Sequence, residues 1–144
     1  MKAKYFFRTA SIFFVLFAAG HTYGFLNFRP PTPEALAVYR SMQDVSFRVG
    51  SANFSYGGFY QGFGLYITVY LLFSAVLAWQ LGAQDRRMQS MGWTLFVVQL
   101  TGAALSWKYF GAGPLIFSTI VAVCLGCGAY LLGSMEPNQA RKTS

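Results

Sequence analysis

Charge is missing from most of this chain, and where it is missing decides what the chain can fold into. Four stretches hold no Asp, Glu, Lys or Arg: Thr9 to Phe28, Val49 to Gln84, Met88 to Trp107 and Tyr109 to Met135. Each is long enough to contain the roughly 20 apolar residues that cross a hydrocarbon core. Charged residues make up 10% of the sequence, against about 25% in ordinary soluble domains. That is too little polar material to clothe a soluble fold of 144 residues. The expectation is one all-α membrane domain over 1–144, a multi-pass chain with four transmembrane helices in an up-down bundle. The spans are placed at about 9–26, 60–81, 91–107 and 114–133, with a loop at 29–58 and a disordered tail at 135–144.

The net charge of +7 does not point to nucleic acid, because the Lys and Arg residues flank the apolar runs instead of forming a patch. Their arrangement bears on topology. With both termini inside, the inner segments hold Lys2, Lys4, Arg8, Arg86, Arg87, Arg141 and Lys142, and the outer ones hold Arg29, Arg40, Arg48 and Lys108. That excess follows the positive-inside rule and predicts cytoplasmic N- and C-termini in a cell inner membrane. The opening MKAKYFFRTASIFFVLFAAG also has the form of a secretory signal peptide, whose cleavage would leave three spans. Apolar residues resume after His21, and no clean A-x-A precedes Gly20, so a retained helix is expected.

Within the loop, Pro30, Pro31 and Pro33 stop helix continuation, and Thr32 is placed to cap a new helix beginning at Pro33-Glu34. Leu36, Tyr39, Met42 and Phe47 then recur at helical spacing, the pattern of a short amphipathic helix at the membrane surface.

Candidate chemistry is sparse. No span contains Asp, Glu, Lys or Arg, which argues against a proton-coupled exporter. Cys124 and Cys127 form a C-L-G-C pair without the second, shuttling pair that a disulfide-forming enzyme needs, and they read as small packing residues. His21 is the only imidazole and cannot hold a metal alone, so no metal site is expected; it reads as an interhelical or pocket-lining contact. Gln99 reads as an interhelical hydrogen bond. Gly20-x-x-x-Gly24 and Gly58-x-x-x-Gly62 are small-residue pairs suited to close helix packing, within the protein or in a homo- or hetero-oligomer. Polar groups converge at one depth: His21, Thr22, Tyr23 and Asn27 late in span 1, and Asn53, Ser55, Tyr56, Tyr60 and Gln61 at the start of span 2. An interfacial aromatic belt and a binding pocket both account for them.

Gly20-His21-Thr22, the proline-led loop with Met42, Ser55-Tyr56, Phe59-Tyr60, Gly62-Phe63-Gly64, Trp79-Gln80-Leu81-Gly82 and Trp107-Lys108-Tyr109-Phe110 resemble a family of small uncharacterised bacterial four-span integral membrane proteins. The resemblance implies four spans in a bacterial inner membrane and supplies no activity. Those relatives carry charge around the Ser-Tyr stretch, where this chain has Gly57, Gly58 and Gln61. The first functional expectation is a non-enzymatic protein that binds a lipid, quinone or other apolar small molecule through His21, Asn27, Tyr56, Tyr60 and Gln61. The alternative is an accessory subunit of a larger membrane complex, packed through Gly20, Gly24, Gly58 and Gly62. A lipid- or quinone-modifying enzyme with His21 as acid or base is the third; no nucleophile or metal site is visible for it, and the sequence names no cofactor.

Overall fold

The computed structural model describes residues 2–134; the tail expected at 135–144 lies outside them. Five helices dominate: α1 (Lys2–Leu26), α2 (Pro33–Asp44), α3 (Tyr56–Leu81), α4 (Gln89–Tyr109) and α5 (Ala112–Gly133). Between α2 and α3 lies a hairpin, β1 (Ser46–Val49) and β2 (Ala52–Ser55), and a 3-10 turn (Arg86–Met88) leads into α4.

Three helices, α1, α3 and α5, are long and apolar enough to cross a membrane. The fourth segment expected to span, α4, has 21 residues and so rises about 31 Å. Its Gln89, Ser90, Thr94, Gln99 and Thr101 make it more polar than the other three. Helix α1 begins at Lys2, seven residues before the expected start of span 1. Lys, Ala, Tyr and Phe all tolerate helix, and nothing before Thr9 breaks one.

The hairpin was not anticipated from the sequence. It pairs Phe47 with Phe54 and Val49 with Ala52, closing on Gly50-Ser51 with Gly50 at φ +60°. Two-residue hairpin loops need positive φ at the first position, which glycine adopts without steric cost. Immediately after β2, the Ser55 hydroxyl accepts from the Gly58 N–H at 2.9 Å and starts α3 at Tyr56. Thr32 caps α2 by accepting from the Ala35 N–H at 3.2 Å. The Glu34 carboxyl on that first turn is held below its ordinary 4.5 by its own backbone N–H and by Thr32. A lowered folded-state value means this support for α2 is complete above pH 4.5 and is lost as pH falls through the folded value.

The described residues form two compact units, one holding residues up to Phe17 and those from Leu71 onward, the other holding Ala18–Tyr70. In the first, α4 and α5 pack along one another. They reverse at Phe110-Gly111, where Gly111 takes φ +83°. The buried residues of α4 are Gly92, Leu95, Gln99, Ala103 and Ser106, spaced three and four apart. Those of α5 follow the same rhythm: Ser118, Val121, Ala122, Leu125, Gly128, Ala129 and Leu132. Small residues on both seams let the backbones approach, so that a Cβ built on Gly92 would lie 3.1 Å from Ala129 Cβ. Gln99, expected to bond across helices, is buried on α4 without a hydrogen bond among the described residues.

Phe7 of α1 is fully buried in this unit, its ring edge against both Gly92 and Gly128. The absent side chains of these two glycines make the hole that the ring fills. Helix α1 also packs antiparallel to the end of α3: the Ser11 hydroxyl donates to the Ala75 carbonyl at 2.8 Å, and the Arg8 guanidinium lies 4.4 Å over the Trp79 ring. On the sides of these helices, Ile12, Phe73, Val76, Val97, Ile116 and Val123 are exposed. An apolar surface of that extent marks contact with lipid or with protein.

Because Phe7 is pinned from two sides, it has nowhere to yield. Gly128→Leu should destabilise the protein by about 1–3 kcal/mol, the usual range for overpacking a filled site, whereas Gly20→Leu, which meets open space, should not. Thermal unfolding of both variants in mild detergent checks this.

Candidate functional site

The second unit contains every residue singled out as a ligand-binding candidate. Here the last turns of α1 lie antiparallel to the first turns of α3. His21 Nε2 is 2.9 Å from the Gly64 carbonyl oxygen. A carbonyl only accepts, so His21 carries its proton on Nε2 and donates. One residue on, the Thr22 hydroxyl donates to the Ala18 carbonyl at 2.7 Å, and the Thr68 hydroxyl, 2.8 Å away, donates to Thr22.

The contact at His21 depends on a glycine. A Cβ on Gly64 would run into the Phe25 ring, so any larger residue would displace that ring from its place beside His21. Phe25 in turn stacks on His21, with ring centroids 5.8 Å apart, and tilts against Tyr60 at 5.3 Å. His21, Thr22 and Phe25 on one helix thus meet Tyr60, Gly64 and Thr68 on the other, each set falling on one helical face by its spacing. Gly57 is buried against the Gln43 side chain, which ties α2 to the start of α3.

Of the other candidates, Asn27 donates to the Tyr23 carbonyl and closes the end of its own helix at 2.8 Å. Tyr56 tilts against Phe47 with ring centroids 4.8 Å apart, and Gln61 is exposed. The structure therefore joins His21 and Tyr60 through Phe25, and leaves Asn27, Tyr56 and Gln61 in separate surroundings. Gly20, Gly24 and Gly62 have no atom within 4 Å of a built Cβ, and Gly58 meets only the Ser55 hydroxyl. Within the described residues these glycines are open helix faces.

Two hollows lie in this unit. One, of ≈ 380 Å³, is lined by Ala37, Val38, Ser41, Met42, Val45 and Tyr56. The other, of ≈ 350 Å³, is a groove walled by Phe54, Phe59, Phe63 and Tyr66 and floored by Gly58 and Gly62. Its walls are held by ring contacts: Phe54 meets Phe59 edge-on at 5.7 Å, Phe59 meets Phe63 at 5.8 Å, and Phe47 braces Phe59 at 5.4 Å. The groove is almost wholly apolar and suits a hydrocarbon or a ring rather than an ion. Among the described residues no group of three or more His, Cys, Asp or Glu is placed to hold a metal, and Cys124 and Cys127 are free thiols in the first unit.

Sequence reasoning missed Phe25, Thr68 and the aromatic walls at Phe54, Phe63 and Tyr66. The spacing Tyr60-x-x-x-Gly64-x-x-x-Thr68 marks one helical face, but nothing in it names His21 as the partner. A scan against protein-family models finds no match, and searches of curated proteins and of solved structures find no similar chain.

The geometry separates two variants. Gly64→Ala displaces the Phe25 ring that packs on both His21 and Tyr60 and should lower stability more than His21→Ala, which removes one interhelical hydrogen bond worth about 0.6–1.7 kcal/mol in membranes. Thermal unfolding of the pair, with Thr68→Val as a third, measures the order.

Proposed function

We propose that this chain is a non-enzymatic four-span protein of the bacterial inner membrane that binds a lipid- or quinone-class molecule in the groove of its second unit. The observation that carries the reading is the groove itself: four aromatic walls over a floor from which Gly58 and Gly62 omit their side chains. Aromatic rings offer flat apolar surface at low entropic cost, and a glycine floor lets a chain or ring lie against the backbone. His21 serves indirectly by fixing α1 against α3, since its Nε2 proton is already given to Gly64.

The fourth span is α4. What supports this reading is that α4 packs along α5, an apolar helix long enough to cross, after a two-residue reversal. Four spans place both ends on one side, and the excess of Lys and Arg puts that side in the cytoplasm. In a Cys124→Ser/Cys127→Ser background, Lys2→Cys and Ser134→Cys should both resist an impermeant maleimide in intact cells while Asn53→Cys reacts. Reaction at one terminus alone would mean an odd number of spans.

A second reading, an accessory subunit, is favoured by Gly20 and Gly24, which leave a face of α1 open to another helix. Native mass spectrometry with an absorbance spectrum in mild detergent tests both. The groove reading expects a stoichiometric bound lipid or quinone whose retention falls about tenfold, or 1.4 kcal/mol, in Gly62→Leu, with melting unchanged. A ligand-free mass overturns it. A second polypeptide lost in Gly20→Leu/Gly24→Leu would establish the accessory role instead.

A further inference from the structure

We propose that the first unit carries a separate site for the headgroup of an anionic phospholipid, in a cavity where the start of α1 meets the ends of α3 and α5. The cavity has a volume of ≈ 390 Å³ and is lined by Ala3, Lys4, Leu81, Gly82, Gln84 and Leu132, with Ala83 beside them. Its lining is of two kinds. Lys4, Gln84 and exposed backbone supply polar groups, while Ala3, Leu81 and Leu132 supply apolar surface. That mixture suits a molecule that is charged at one end and hydrocarbon at the other.

Charge selects the sign of the occupant. Lys4 lines the cavity, and Arg8 follows one turn later on α1, its Cγ 3.4 Å from a Cβ built on Gly82 in the cavity wall. Arg86 and Arg87 begin two residues after Gln84, and Lys2 precedes the lining residue Ala3. Against these five cations, the described residues here hold one carboxylate, Asp85, whose Oδ1 already accepts from the Arg87 backbone N–H at 3.0 Å. Arg8 Nε is shut away from solvent with no hydrogen-bond partner among the described residues. Its guanidinium is held by the Trp79 ring, a contact that orients the cation without neutralising it. Cations left unpaired at a membrane surface attract anionic headgroups, and a phosphate oxygen is the acceptor that Lys and Arg bind best.

Free phosphate shares this chemistry, but the apolar half of the lining favours the lipid. The inference rests on insertion in a membrane and not on the groove of the second unit. The lipid pattern in one site can fail while the other stands.

The test is native mass spectrometry of the full chain in mild detergent, titrated with phosphatidylglycerol and, separately, phosphatidylcholine. The wild type should retain phosphatidylglycerol preferentially, and Lys4→Gln should weaken that preference about fivefold, the effect of one basic residue at a lipid surface. Lys4 makes no hydrogen bond or ion pair among the described residues, so the variant leaves the fold intact. Arg86→Gln/Arg87→Gln, both exposed, is the second variant and should weaken it further than Lys4→Gln; Lys108→Gln, on the far end of α4, should not change it. Equal retention of the two lipids by the wild type overturns the proposal. So does a preference that survives in Lys4→Gln and in the double variant, or displacement of phosphatidylglycerol by millimolar inorganic phosphate, which would mark a free-anion site.

Discussion

Helices surrounded by hydrocarbon gain nothing by hiding one apolar surface against another, because lipid tails solvate Leu and Phe as well as protein does. What holds such helices together is the closeness of fit and a few hydrogen bonds, and this structure is organised around both. Phe7 inserts between Gly92 and Gly128 because two side chains are missing there. The α4–α5 seam closes because Ala103, Ser106, Ser118, Ala122 and Ala129 are all small and buried. A larger apolar residue at these positions would leave the helix apolar and still remove the contact that places it.

The same constraint explains how polar groups are used. Ser11, Thr22, Thr68 and His21 each spend their hydrogen on a carbonyl or hydroxyl, either of the neighbouring helix or of their own. An unsatisfied donor in hydrocarbon is costly, so each of these groups is paired. Arg8, with the buried Ser74 hydroxyl and the Gln99 side chain, is a contrast among the described residues: its guanidinium rests on an aromatic face and its Nε has no acceptor. The first unit therefore ends in unneutralised cation, and the second opens into an aromatic groove with glycines for its floor.

Much of the helical content was legible from one-dimensional signals. The charge-free runs mark where long apolar helices lie, and the Thr32-Pro33-Glu34 sequence marks the start of α2 by its capping chemistry. Other features were not legible. The hairpin at Ser46–Ser55 has only four residues per strand and alternates weakly, so Gly50-Ser51 reads as loop until the two strands are seen to pair. Glycine pairs that read alike in the sequence also diverge: Gly64 is closed by Phe25 and Gly128 by Phe7, while Gly20, Gly24 and Gly62 stay open.

By itself the sequence determined the helical class and the ends at which positive charge collects, and of the four segments it marked as spans, three form helices long and apolar enough to cross a membrane. These depend on local composition and length, which a one-dimensional pattern carries in full. Only the tertiary structure decided that His21 faces the Gly64 carbonyl, that Phe7 fills a hole made by residues more than eighty positions away, and that Gly58 and Gly62 floor a groove walled by rings from β2 and α3. Those pairings depend on which helix lies beside which and at what register. In a chain whose helix surfaces are nearly uniform in hydropathy, small differences of side-chain size settle that choice, and they act only once two helices are in contact.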